Sequence, residues 1–264
     1  MPDISASIEY LADLPIYQTE KPYGALLANG TEFFAKGKRL DNIFFEEHEC
    51  IVSDVRDKPE FTLERCGFQI CEQVSNTLSD FQTKEEADIH KKEIAESLKK
   101  KFDAVHVNTY DLRTRINLEP TRTKVDVLNP LLVEPRARGA HNGTTSGLIK
   151  STQVVTTDLK TLDVTLKSGP EIVYRHSSEG ELEQYLKPGY RIRIIKYVLS
   201  MVIIRTCSEN LSTWRPLLPV CEDRPLAFCD ASSIDPKDLI PADRVYPHSV
   251  GEIYYLGYNK NHRW

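Results

Sequence analysis

The chain has 264 residues, of which 40% are apolar and 28% charged, with a formal net charge of −5 at pH 7. That length can bury one large core or two modest ones, and the composition is ordinary for a soluble globular protein. Acids and bases are mixed along the chain, which argues against the basic face of a nucleic-acid binder.

The start, Met1-Pro2-Asp3-Ile4-Ser5, has neither a basic region nor an apolar run, so no signal peptide is expected. The longest apolar stretch, residues 197–204, is shorter than the about 20 residues that span a bilayer. A cytoplasmic protein without a membrane partner is therefore expected. Cys50, Cys66, Cys71, Cys207, Cys221 and Cys229 form no C-x-x-C pair and no zinc spacing, so reduced thiols are expected. The sequons at Asn29, Asn142 and Asn210 carry no weight without a secretory signal.

Residues 1–80 read as short strands and loops. Residues 44–52 are extended, residues 54–59 are turn-rich, and Phe61-Thr62-Leu63 opens another short strand. Thr83-Lys84-Glu85-Glu86 is a capping box that starts a helix. Ile94, Leu98 and Phe102 give that helix an apolar stripe, and its Lys/Glu run reads as a solvated face. Ala104-Val105-His106-Val107 reads as a strand that ends at Asn108-Thr109-Tyr110-Asp111.

From Val125 onward strand and turn dominate. Residues 179–186 suit a short helix stopped by Lys187-Pro188-Gly189, and residues 190–195 alternate at period two. Leu226-Ala227-Phe228-Cys229 and residues 252–256 are further strand candidates. The expected class is mainly β with α: a partial double-stranded β-helix, or jelly roll, over residues 104–264, carrying an N-terminal α+β extension over residues 1–103. G-x-G-x-x-G, H-E-x-x-H and G-x-S-x-G are absent, and Gly30 lies too far from Gly37-Lys38 for a phosphate loop.

An ordered set of segments carries a resemblance. It begins with Phe45-Glu46-Glu47-His48, Asp54-Val55-Arg56, Phe61-Thr62-Leu63-Glu64 and Gly67-Phe68-Gln69. It continues with Asn129-Pro130-Leu131-Leu132, Ala137-Arg138-Gly139-Ala140-His141, Trp214-Arg215-Pro216-Leu217 and the run from Pro225 to Ala231. Asp243-Arg244-Val245-Tyr246-Pro247, Gly251-Glu252-Ile253-Tyr254 and His262-Arg263-Trp264 close it. Together they resemble the hydroxylase/desaturase family of the aspergillic acid pathway, whose relatives include the cephamycin methoxylase small subunit.

The resemblance implies a jelly-roll oxygenase that holds Fe(II) with two histidines and a carboxylate and takes 2-oxoglutarate as co-substrate. His141 matches the first histidine of the family's H-x-D motif, but Asn142 is followed by Gly143. Asp163-Val164-Thr165 matches the continuation, so Asp163 is the expected carboxylate and residues 143–162 an insert. A second insert is expected at residues 196–212; both intervals read either as translated introns, because their codons can hold splice sites, or as genuine surface insertions, which loops tolerate.

On the same resemblance, the family's distal histidine and basic residue fall beyond Trp264. Arg215 is expected either to pair with the 2-oxoglutarate carboxylate or to form a structural salt bridge. His176, His248 and His262 are weaker third-ligand candidates, with His262 read as structural. Tyr246, Tyr254, Tyr255 and Tyr258 read as core, and Asp111 with Arg113 as an ion pair. The implied activity is hydroxylation or desaturation of a small polyketide- or peptide-derived secondary metabolite. The alternatives are a non-catalytic accessory subunit and the product of a decayed gene.

Overall fold

The computed structural model describes residues 2–25, 39–71, 83–112, 114–116, 131, 133–135, 137–142, 177–185, 191–195, 198–204, 226–245 and 250–264. The chain divides into two compact units. Unit 1 is Met1–Glu72, Ala137–Gly143 and Arg224–Trp264, and unit 2 is Gln73–Arg136 and Thr144–Asp223. The boundary expected between residues 103 and 104 falls inside unit 2.

In unit 1, β1 (Ile4–Leu11) pairs antiparallel with β3 (Phe45–Val52), from Ile4 opposite Val52 to Leu11 opposite Phe45. β1 starts exposed and ends buried, with Tyr10 and Leu11 at 0% and 1% exposure. A second sheet joins β2 (Tyr23–Ala25), β10 (Leu239–Val245), β11 (Val250–Leu256) and β7 (His141–Asn142), in the order β2-β10-β11-β7. Ala242, Ile253 and Leu256 supply its buried positions.

β10 was not singled out in the sequence, and it contains Pro241. Its register explains the tolerance. Asp243 N–H points at the β2 side, donating to Pro22 O at 2.8 Å, and β2 covers β10 only from Asp243 onward. Pro241, two residues earlier, turns its hydrogen-free nitrogen to the same edge, where no strand among the described residues needs a donor.

Two expected strands of unit 1 are replaced by capped turns. Thr62 is the N-cap of α1 (Leu63–Cys66), its hydroxyl accepting from Arg65 N, and Gly67 ends that turn at φ 79°. Residues 226–229 run without regular structure into a 3-10 turn, Ala231–Ser233, capped by the Asp230 carboxylate. In both places a side-chain oxygen satisfies backbone donors locally, which competes with strand pairing.

In unit 2, α2 (Lys84–Lys101) begins with the expected capping box between Thr83 and Glu86. Its buried face is Ala87, His90, Ile94 and Leu98, with Phe102 as the C-cap rather than part of the stripe. β4 (His106–Leu112) takes in residues 108–111, which had been expected to end it, and bulges between Thr109 and Asp111. It pairs with β9 (Val198–Ile204), which pairs in turn with β8 (Arg191–Ile195). The interval 196–212, expected as an insert, thus provides the central strand of this sheet. β5 (Thr114–Ile116) and β6 (Val133–Pro135) form a parallel pair, and α3 (Glu179–Tyr185) lies where a helix was expected. α2 packs on both β4 and β9.

Candidate functional site

His141 sits at the end of a turn held from three directions. Gly139 adopts φ 70°, a left-handed conformation that side chains disfavour. A Cβ there would meet Phe45 Cε1 at 2.1 Å, so the ring needs the bare backbone beside it. The Glu9 carboxylate, on β1, accepts from Arg138 Nε at 3.0 Å, Arg138 Nη2 at 2.5 Å and Gly139 N at 3.1 Å. Ala140 N donates to Glu9 O at 2.7 Å, and Ala140 O accepts from Leu256 N at 2.9 Å. The turn is thereby fastened to β1 on one side and β11 on the other.

The Arg138 guanidinium lies over the Phe45 ring at 5.5 Å, and Phe45 meets Tyr255 edge-on at 5.3 Å. Tyr255, opposite His141 in the β11–β7 pairing, approaches the imidazole edge-on at 6.0 Å. His141 itself is exposed, with Nδ1 2.8 Å from Gly139 O. A carbonyl oxygen can only accept, so Nδ1 carries the proton and Nε2 the lone pair of the neutral ring. Imidazoles that bind metals are commonly oriented by such a bond from their other nitrogen.

His262, also in unit 1, has a different setting. Tyr10 stacks on His262 at 5.7 Å and meets His48, Tyr258 and Trp264 edge-on. Trp264 Nε1 donates to Tyr10 Oη at 2.7 Å, and His48 stacks on Tyr258 at 3.6 Å. His262 Nε2 donates to Asp238 Oδ2 at 3.1 Å, and Asn259 Nδ2 donates to the same oxygen at 2.8 Å. The His262 side chain is 1% exposed, and burial lowers its pKa despite the Asp238 carboxylate. Burial likewise pushes the Tyr10 phenol up, and the Cys229 thiol up to about 11. The neutral thiol is a poor nucleophile near neutral pH. An open depression of about 400 Å³ adjoins Cys50, Tyr258, His262 and Trp264.

Of the residues expected to hold a metal, His141 is the one described, and it is presented in a usable tautomer. Asp163 and Arg215 lie outside the described residues, as do His176, His248, Tyr246 and Arg113. Among the described residues no three His, Cys, Asp or Glu side chains gather as a metal-binding group. Among the described residues the fit to iron therefore extends to His141. His262, read as structural, is buried against Tyr10 and bonded to Asp238. Tyr254 is half-buried, Tyr255 is half-buried against Phe45 and His141, and Tyr258 is 44% exposed. The described cysteines Cys50, Cys66, Cys71 and Cys229 are free thiols.

Glu9 was missed in the sequence. It stands 129 residues from Arg138 in an exposed-looking run, and nothing local to it signals a partner.

These features define a mostly β protein with a turn-fixed imidazole at a strand end. A family model described as "Oxidoreductase/YMDC permease-like domain" matches residues 9–264, and the chain belongs to that family. The expectation of an oxidoreductase agrees with that description. No helix among the described residues is long and apolar enough to cross a membrane.

Comparison with curated proteins finds no match. Among solved structures the chain is similar to a tryptophan-to-phenylalanine variant of the iron and alpha-ketoglutarate-dependent endoperoxidase NvfI, at 17% identity and a TM-score of 0.62. It is also similar to NvfI in a different conformation, at 18% and 0.61, and to a further NvfI structure, at 17% and 0.58. Each match covers 100% of this chain and 78% of the other. At these identities the likeness concerns the fold.

Proposed function

We propose that the chain is an Fe(II)- and 2-oxoglutarate-dependent oxidoreductase built on a jelly roll, a hydroxylase or desaturase that tailors a small secondary metabolite in the cytoplasm. The observation that carries the proposal is the His141 imidazole, exposed at a strand end with Nδ1 held by Gly139 O at 2.8 Å. It is supported by the likeness in fold to an iron and alpha-ketoglutarate-dependent endoperoxidase. His141 and Asp163 would hold the metal, and Arg215 would pair with a 2-oxoglutarate carboxylate. Iron held there would activate dioxygen, the oxidant, with 2-oxoglutarate as the electron-donating co-substrate, to break a C–H bond. The protein's own part is to hold the imidazole in one tautomer and orientation. A polyketide- or peptide-derived intermediate is the proposed substrate class.

Anaerobic titration with Fe(II) in the presence of 2-oxoglutarate tests the proposal. A visible charge-transfer absorption that disappears in His141→Ala and in Asp163→Ala is expected. A variant lacking residues 143–162, in which Asn142 is followed directly by Asp163, should bind iron more tightly than the full chain. Binding of neither iron nor 2-oxoglutarate would defeat the proposal in favour of a non-catalytic accessory protein. The three-donor group missing among the described residues is the observation on that side.

A further inference from the structure

We propose that Glu9 is a positioning residue for His141, acting through the Arg138-Gly139-Ala140 turn. The inference rests on the reading of His141 as a ligand. Glu9 touches the turn with both its side chain and its backbone. Its carboxylate holds the Arg138 guanidinium and the Gly139 N–H together, and its carbonyl holds the Ala140 N–H.

These contacts orient Gly139, whose own carbonyl then receives His141 Nδ1–H at 2.8 Å. The chain of contacts runs from a β1 carboxylate to an imidazole tautomer without a gap. Its base is rigid, because the residues after Glu9, Tyr10 and Leu11, are fully buried. Its other end is rigid too, because Ala140 O is bonded to Leu256 N on β11. Glu9 is only 14% exposed, so water competes weakly for its carboxylate.

The stoichiometry of oxygens makes the role specific. Oε1 accepts from Arg138 Nε and Nη2, and Oε2 accepts from Gly139 N at 3.1 Å and more weakly from Arg138 Nε at 3.4 Å. A glutamine replaces one of these acceptor oxygens with an NH2 donor, so Glu9→Gln keeps the size of the side chain but gives up either the Gly139 bond or the closest guanidinium bonds. Either loss loosens the turn, and the Gly139 carbonyl no longer stands firmly where Nδ1–H needs it. The ring then shifts toward the opposite tautomer, with the lone pair on Nδ1.

The test is long-range proton–nitrogen correlation on 15N-labelled protein without metal, which reads the tautomer of each histidine ring. In the unsubstituted protein His141 should show a protonated Nδ1 and an unprotonated Nε2. Glu9→Gln and Glu9→Ala should both move it toward the opposite tautomer. His262 is fixed by Asp238 and should keep Nε2 protonated, which separates a positioning effect from general loss of structure. Alongside, Co(II) affinity should fall roughly 10–100-fold in Glu9→Gln, the range for a lost partner of a metal ligand.

An unchanged His141 tautomer in both variants would overturn the proposal, and so would a parallel disturbance of His262. If instead His141→Ala leaves Co(II) affinity intact, the ligand reading fails. The tautomer measurement then still decides whether Glu9 positions the ring.

Discussion

His141 and His262 belong to the same unit and present opposite solutions for an imidazole. His262 is packed against Tyr10, bonded through Nε2 to Asp238 and 1% exposed. His141 is exposed, touched edge-on by one tyrosine, and held through Nδ1 by a backbone carbonyl two residues away. The first arrangement uses the ring for packing. The second leaves the ring at the surface and uses the surroundings to aim it. A histidine's chemistry therefore follows from which nitrogen is engaged and by what, more than from its burial.

Four substitutions or conditions press on this contrast. The largest effect is expected at the packed corner, where Tyr10→Ala removes a fully buried ring that contacts four others. Denaturant unfolding should show a loss of about 3–5 kcal/mol. A loss below about 1 kcal/mol would mean that the His262 corner is not a packing site.

At the aimed corner, Gly139→Ala forces a side chain into a left-handed conformation at a cost of about 1–2 kcal/mol. Displacement of the Phe45 ring adds to that. The same measurement should place this variant below the unsubstituted protein but above Tyr10→Ala, and the His141 tautomer should change with it.

Acidification probes the packed histidine. Burial depresses the folded-state pKa of His262 below its unfolded value, so the unfolded chain takes up a proton first. The contribution is intact above the unfolded pKa of about 6.5 and is lost as pH falls from there through the folded value. The thermal midpoint should decline over that window, and His262→Gln should flatten the decline. An equal slope in both proteins would remove His262 as the cause.

The smallest effect is expected at Asp54–Arg56, a bidentate pair on the surface of the same unit. Arg56 holds the Asp54 carboxyl well below the usual carboxylate range, yet Arg56 is 54% exposed and solvent screens the pair. Arg56→Ala should leave the unfolding midpoint unchanged within error. A clear drop would show that solvent does not screen the pair.

What the sequence determined by itself was local in origin. The capping box at Thr83 and Glu86, the apolar spacing through Ile94 and Leu98, the alternation in residues 191–195 and the strand through residues 252–256 depend on neighbours within a few positions. Local signals misled where a side chain satisfied the backbone in place of a strand partner, as at Thr62 and Asp230, or where a proline faced an uncovered edge, as at Pro241. His141 was legible as a candidate because it follows Arg138-Gly139-Ala140. What only the tertiary structure decided was its orientation. That depends on Glu9 arriving from β1, 129 residues away, and on β11 taking the other side of the turn. Spacing cannot encode which carboxylate meets which guanidinium, because that choice is made when the sheets close around them.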